Sequence, residues 1–371
     1  MNDMNNMNNK YKYVFLYHAL GDTIGFKNSL SFAEYTNKTL DTINEMIYEF
    51  IDLGGINGLD MKDWIVSEDT LYHIAMARSL LKYKEMNEKF IFIVKENLIK
   101  IHNEMINEEE KNCIYRYPEL ISDEYIQQFK DADDGRTFKY DPKSGTSGAC
   151  ARNLCIGLLF HDEKNEHELI EVAITTSKLT HNSAFGYLAG LTSALFVSWA
   201  IREIHINKWP FKLLELLESD EIKKFINEDN DKHVNYTEYI SYIKYWKKYI
   251  DTKFVDTKPI KTRSFGNPLF RMRYYFSNFV KDTKDIFNLA GKSGFSAIIV
   301  AYDALLDCDG KFEKLIIYSI LHPSVCDTIG AIACGLYGAV YNMGDVPEYM
   351  LEHLEKKNIL LELADNIKKI S

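Results

Sequence analysis

Apolar residues along most of this chain recur every three to four positions rather than every second one. Leu40, Ile43, Ile47 and Phe50 fall on one helical stripe, and Leu213, Leu216, Leu217 and Ile222 do so more loosely. Only seven prolines punctuate the sequence, too few for a sandwich or barrel of short strands. The pattern predicts an all-α protein. Six segments, 11–26, 70–81, 149–160, 184–201, 296–306 and 329–343, are rich in Ala, Gly and other small residues that let helices approach closely, and they form the predicted core. The most apolar run, Tyr187 to Ile201, is interrupted by Gly190, Thr192, Ser193 and Ser198 and is shorter than the ~20 residues a bilayer span requires, which predicts a buried helix. From about Glu215 to Lys261 the character changes: Tyr242-Ile243-Lys244-Tyr245-Trp246-Lys247-Lys248-Tyr249 mixes aromatics with lysines. An amphipathic surface helix pair is expected there, with a partner-binding face as the alternative. No linker and no solenoid-length repeat divides the chain, so one domain is expected over 11–371. Residues 1–10, mostly Met and Asn, read as a disordered polar tail without the apolar centre of a signal peptide.

Composition narrows the function classes. With 371 residues, 46% hydrophobic and 26% charged, the chain can bury a sizeable core. Fifty-four acidic against 44 basic residues give a net charge of −10, the opposite of a nucleic-acid-binding footprint. Cys113, Cys150, Cys155, Cys308, Cys326 and Cys334 form no C-x-x-C pair, so reduced, packed thiols and a cytoplasmic setting are expected. Neither a nucleic-acid nor a membrane partner is expected, and the chain is expected to be a monomer.

Candidate chemistry lies in four segments. In Trp64-Ile65-Val66-Ser67-Glu68-Asp69-Thr70, Ser67 can cap a helix whose first turn carries two acids, which suits the helix dipole. The same hydroxyl and carboxylates are hard oxygen donors suited to Mg²⁺ or Mn²⁺. Asp327 and Thr328 stand at a second helix start, on a helix whose Ala331, Gly335 and Ala339 form a small-residue stripe. Ser144-Gly145-Thr146-Ser147-Gly148 is a glycine-bracketed loop running into an apolar helix, where free backbone N–H groups can hold a phosphate oxygen. Gly21-Asp22-Thr23-Ile24-Gly25 is a weaker signal. Taken singly, each has a bland explanation as a cap or a turn.

In order along the chain these segments resemble the ADP-ribosylglycohydrolase family, closest to its ADP-ribosylarginine hydrolase branch. The resemblance is carried by Gly21 to Gly25, Leu53-Gly54-Gly55 with Trp64 to Thr70, Gly145 to Arg152 with Cys155-Ile156-Gly157-Leu158, Leu179-Thr180-His181 with Gly186-Tyr187-Leu188, and Ala301-Tyr302-Asp303-Ala304. It implies a single compact orthogonal helical bundle whose cleft holds two Mg²⁺ ions beside ADP-ribose, and hydrolysis of the N-glycosidic bond of ADP-ribosylated arginine in a protein substrate. By position, Ser67, Glu68, Asp69, Asp327 and Thr328 would hold metal. Glu68 and Asp69 would be catalytic. Gly145, Thr146, Ser147, Gly148 and His181 would bind the ligand. Two positions depart from the family's pattern. Glu68 replaces the first Asp of an Asp-Asp pair, and Val325 stands where the late motif has its first Asp, which removes a donor for the second ion. A non-catalytic ADP-ribose-binding or protein-interaction module is therefore the second reading.

Overall fold

The computed structural model describes residues 2–32, 40–131, 140–227, 232–261, 264–281, 289–322 and 324–371. Its helices are α1 (Asn2–Phe32), α2 (Leu40–Asp52), α3 (Glu68–Leu80), α4 (Glu88–Asn112), α5 (Leu120–Asp131), α6 (Gly148–Arg152), α7 (Leu154–Leu159), α8 (Glu166–Lys178) and α9 (Ala184–Ile201). They continue with α10 (Trp209–Leu217), α11 (Asp220–Asn227), α12 (Lys232–Lys253), α13 (Pro268–Tyr275), α14 (Gly294–Asp307), α15 (Phe312–Ser319), α16 (Cys326–Tyr341) and α17 (Lys357–Ile370). Among the described residues the only paired strands are a two-residue hairpin, β1 (Phe254–Val255) with β2 (Lys258–Pro259), antiparallel and in register Phe254 to Pro259. The fold is all-α, as the periodicity predicts.

The predicted core segments become α1, α3, α6 with α7, α9, α14 and α16. Helix α9 is buried along its whole length, which explains why its sequence is apolar all round. Five of the six cysteines are buried, and Cys113 is exposed. On α2, Phe50 is buried as its stripe predicts, while the side chains of Leu40 and Ile43 lie outside the described residues.

Two expectations need correcting. The N-terminal stretch is the beginning of α1 from Asn2 onward, and Lys10 is only 5% exposed, with Nζ donating to Ala200 O at 3.0 Å. A cation there meets the negative end of α9, so the helix is anchored where the composition alone suggests a tail. The Glu215–Lys261 region is amphipathic as expected, with Glu218, Lys224, Lys244 and Lys247 exposed, but its apolar face is sunk deep in the fold: Tyr242, Trp246 and Tyr249 of α12 are fully buried. Tyr242 donates to Leu188 O of α9 at 3.2 Å, while Tyr236, Lys244, Lys247 and Asp251 on the other side of α12 meet solvent.

The small-residue stripe of α16 is buried, and a Cβ at its Gly335 would lie 2.5 Å from Leu154 Cδ2 and 3.5 Å from His18 Cβ of α1. Gly330 and Gly338 beside it bring α1 and α16 together backbone against backbone. A Cβ at Gly21 would lie 2.1 Å from Gly330 O, and one at Gly338 would lie 2.5 Å from Tyr13 O. One turn along α1, a Cβ at Gly25 would lie 2.2 Å from Cys326 O, so the glycines dock the first turn of α16 against the middle of α1 and set Asp22 beside Asp327.

A second buried polar centre joins α12, α13 and α14. Lys253 Nζ lies 2.9 Å from Asp303 Oδ1, and Arg271 pairs with both Asp303 and Asp307. Tyr249 and Tyr275 donate to the two oxygens of Asp303 at 2.8 and 2.7 Å. Two cations balance two anions, so charge is buried without a net surplus.

Candidate functional site

Helix α3 begins as the sequence predicts. Ser67 is extended, and its Oγ accepts from the Asp69 N–H at 3.1 Å. The stronger cap comes from another helix: Asp22 Oδ2 accepts from Ser67 N at 3.0 Å, Thr70 N at 3.2 Å and Thr70 Oγ1 at 2.5 Å. Just upstream, the buried Arg116 donates to Val66 O at 2.6 Å and grips Glu355 through Nη1 (3.0 Å) and Nη2 (2.8 Å). Glu355 in turn accepts from Val66 N at 2.9 Å. The chain entering Ser67 is therefore held on both sides by residues far away in sequence.

The two acidic helix starts meet. Thr328 Oγ1 donates to Asp69 Oδ2 at 2.7 Å across 259 positions of sequence, while Asp327 Oδ1 accepts from Thr328 N at 2.9 Å. Ser67, Glu68, Asp69, Asp327 and Thr328 are thus brought together, and Asp22 joins them. Burial, opposed by hydrogen bonds from Ser67 and Thr70 and reinforced by the charge of Asp327, pushes the Asp22 carboxyl up to about 7. Burial and the charges of Asp69, Asp327 and Asp22 push Glu68 well above the ordinary range, and burial with Asp22 and Asp327 does the same to Asp69. Beneath them His18 and His73 are buried with ring centroids 4.2 Å apart, both turned to Ala151 O. Burial holds His73 down at about 4, so it is neutral.

Val325 is half-buried at the N-terminal boundary of α16, its N–H donating to Ala290 O at 3.2 Å. Residues 289–296 strap this position to the glycine loop: Gly294 N donates to Gly145 O at 2.9 Å, and Thr146 bridges to Ser293. The strap turns at Gly291 with φ of +82°, where a Cβ would also lie 2.5 Å from Ile329 Cδ1.

The glycine loop leads into a single turn, α6, and the helix expected over 149–160 breaks at Asn153. Side chains at the break are pulled towards α8: Arg152 donates to Thr176 O at 2.8 Å, and Asn153 donates to Ser177 Oγ at 2.8 Å. Gly145, Thr146 and Ser147 are buried, while Gly148 is half-exposed. His181 is fully buried behind Gly148, with Nδ1 2.7 Å from Thr180 Oγ1 and Nε2 3.0 Å from Glu119 Oε2. Glu119, 23% exposed, stands in front of it, and a Cβ at Gly148 would lie 3.0 Å from Glu119 Oε2.

Sequence reasoning missed Asp22, Glu119, Arg116 and Glu355 as site residues. For Asp22 the signal was its place between Gly21 and Gly25. For the others, nothing local distinguishes them from ordinary surface charges.

The chemistry of the donors suits a hard divalent cation. Among the described residues, no three Asp, Glu, His or Cys side chains are already gathered as a ligand set. Their oxygens point instead at hydroxyls and backbone N–H groups. Two are left over: Asp22 Oδ1 and Glu68 Oε2 are buried without a hydrogen-bond partner. Buried carboxylate oxygens without donors are the kind of hard ligand that suits Mg²⁺.

An all-α bundle with two acidic helix starts joined beside a glycine loop defines a class, and comparison with known proteins gives it a name. The ADP-ribosylglycohydrolase family model matches residues 4–371, and the chain belongs to that family. It is 30% identical over 364 residues to a protein of Acanthamoeba polyphaga mimivirus provisionally named ADP-ribosyl glycohydrolase L444, covering 95% of this chain and 68% of that protein. It is also 30% identical over 376 residues to the Dictyostelium discoideum ADP-ribosylhydrolase ARH1, covering 96% and 93%. A solved structure titled ADP-ribosylglycohydrolase-related protein complex shares the fold, with a TM-score of 0.58 at 13% identity over 99% of both chains.

Proposed function

We propose that this protein is a Mg²⁺-dependent hydrolase that removes ADP-ribose from modified arginine side chains. The observation that carries the reading is the 2.7 Å bond between Thr328 and Asp69, which joins two acidic helix starts at one point. Ser67, Glu68, Asp69, Asp327 and Thr328, with Asp22, would hold the ions. When bound, Mg²⁺ supplies Lewis acidity toward water and the ribose hydroxyls. Gly145 to Gly148 would receive the ADP-ribose through backbone N–H groups and the Thr146 and Ser147 hydroxyls, with His181 supporting that wall from behind. Glu68, whose Oε2 has no protein partner, would take a proton from water as it adds to the anomeric carbon. The bond from that carbon to the guanidinium nitrogen breaks, and the proton passes to the departing nitrogen. Arginine-ADP-ribosylated protein is expected to release ADP-ribose with Mg²⁺ and to stop doing so in EDTA; release unaffected by EDTA would overturn the metal role. In the same preparation, Mg²⁺ at about 100 times its Kd should stabilise the fold by about 2.7 kcal/mol, read as a rise in melting temperature.

Val325 favours a second reading, an ADP-ribose-binding module. Its half-buried side chain offers no oxygen at the start of α16, beside Asp327. Val325→Asp is expected to tighten Mg²⁺ binding on the order of tenfold, as one added charged ligand would, and to raise turnover. Calorimetry and the release assay check this together: tight ADP-ribose binding with no turnover in either protein would decide for the module, and full turnover indifferent to Val325→Asp would show that two ions are held without it.

A further inference from the structure

Four groups form a directed chain of hydrogen bonds behind the glycine loop. Arg152 Nη1 donates to Thr180 Oγ1 at 2.6 Å, and Thr180 Oγ1 lies 2.7 Å from His181 Nδ1. Arginine can only donate, so the Thr180 hydroxyl accepts from Arg152. At the other end an ionised Glu119 can only accept, so Nε2 of His181 carries the proton and donates to Glu119 Oε2 at 3.0 Å, which leaves Nδ1 of the neutral ring to accept from the Thr180 hydroxyl. Burial, partly offset by the bond to Glu119, keeps His181 below its ordinary range and therefore neutral. The chain ends on a carboxylate. Burial alone would raise it, but the hydrogen bond from His181 and a further one from Ser122 Oγ at 3.2 Å help to outweigh this, and Glu119 is held below the ordinary range.

Glu119 differs from the other acids of the cleft. Whereas the carboxyls of Asp22, Glu68 and Asp69 are pushed up, that of Glu119 is held below the ordinary range, it is 23% exposed, and a carboxylate accepts more bonds than the relay supplies. Its charge reaches Asp69, and its Oε2 lies against Gly148, so it stands between the acidic helix starts and the glycine loop. An anionic diphosphate would be repelled by this carboxylate, whereas a cation would be attracted.

We propose that Glu119, oriented by the relay through His181 and Thr180 from Arg152, is the specificity-determining residue that receives the cationic group of the modified side chain, the planar guanidinium above all. This rests on the hydrolase reading for its substrate, but its test does not require turnover. A guanidinium pairs with a carboxylate through two parallel N–H bonds, and a neutral hydroxyl-linked substrate cannot.

The test is calorimetric titration of agmatine, a soluble guanidinium probe, into the full-length protein saturated with ADP-ribose and Mg²⁺, for wild type and Glu119→Gln. Gln keeps an oxygen to accept from His181 while removing the charge. Agmatine is expected to bind wild type and to lose about 10- to 100-fold in affinity in the variant, the usual effect of removing one charge-assisted pair, while the Kd for ADP-ribose alone stays unchanged. In the release assay, kcat/KM for arginine-linked ADP-ribose should fall by a similar factor, and that for serine-linked ADP-ribose should not. Equal weakening of ADP-ribose binding would place Glu119 on the nucleotide and overturn the proposal, as would failure of agmatine to bind wild type. Agmatine binding that depends on Glu119, without turnover of any substrate, would sustain the subsite and reject the hydrolase reading alone.

Discussion

Asp22→Asn is expected to cut hydrolysis by about 10²- to 10³-fold while leaving the metal-free protein at least as stable as wild type. The two effects separate because the two oxygens of Asp22 do different things. Oδ2 accepts three hydrogen bonds from Ser67 and Thr70, and the oxygen of Asn can still accept them, each without the charge assistance of a carboxylate, so the start of α3 keeps its geometry. Oδ1 is buried with no partner, and there the substitution puts an N–H donor where a cation would need an oxygen. Removing one charge also relieves Glu68 and Asp69, whose carboxyls its repulsion helps to push up. Thermal melting with and without Mg²⁺, beside the release assay, checks the split. Loss of stability without Mg²⁺ would show that Asp22 is a structural cap and little else, and unchanged Mg²⁺ stabilisation would remove it from the metal site.

Arg271→Met is expected to cost 3–5 kcal/mol of stability, as breaking a buried ion pair from one side does, and to lower the melting temperature by on the order of 10 °C. Arg271 is fully buried, packs its guanidinium 4.0 Å over the Tyr318 ring and compensates both Asp303 and Asp307. Without it Lys253 faces two buried carboxylates alone. The same network sets an acid limit. Burial would raise Asp303, but Lys253, Arg271 and Tyr275 together outweigh it and bring its carboxyl down to about 2 from an ordinary 3.8. A depressed folded-state pKa contributes stability that is complete above the unfolded value and is lost as pH falls. Wild type should therefore lose this part of its stability between about pH 4 and pH 2, and Arg271→Met should lose less over that window because less remains to lose. Urea melts of both proteins at pH 6 and pH 3 measure the difference directly. Equal acid sensitivity in the two would show that the pairing with Arg271 contributes nothing to the depression.

Helical periodicity, scarce proline and small-residue segments are local properties, and they were enough to predict an all-α chain with α1, α3, α9, α14 and α16 at its core. Ser67 with Glu68 and Asp69, and Asp327 with Thr328, were legible for the same reason: an acidic helix start is written in four or five consecutive residues, although only α3 carries a side-chain cap and Val325 at the start of α16 supplies none. The amphipathic pair over 215–261 was legible in part, because interleaved Lys and Tyr show two faces but not how deep the apolar one sinks. Tyr242, Trp246 and Tyr249 sink completely, because α9 offers them a wall that is apolar all round.

What only the tertiary structure decided is which distant groups meet. Asp22 enters the acidic cluster because Gly21, Gly25 and Gly330 allow α1 and α16 to touch backbone to backbone, and no pattern within either helix states that pairing. Glu119 enters the cleft because His181, 62 positions away, donates to it, and Arg116 and Glu355, 239 positions apart, close round Val66. The sequence by itself determined the helices, their caps and the residue types able to hold a cation. Convergence of those residues, and with it the burial and mutual repulsion that make carboxylates want a metal, depends on side chains from separate helices sharing one low-dielectric space.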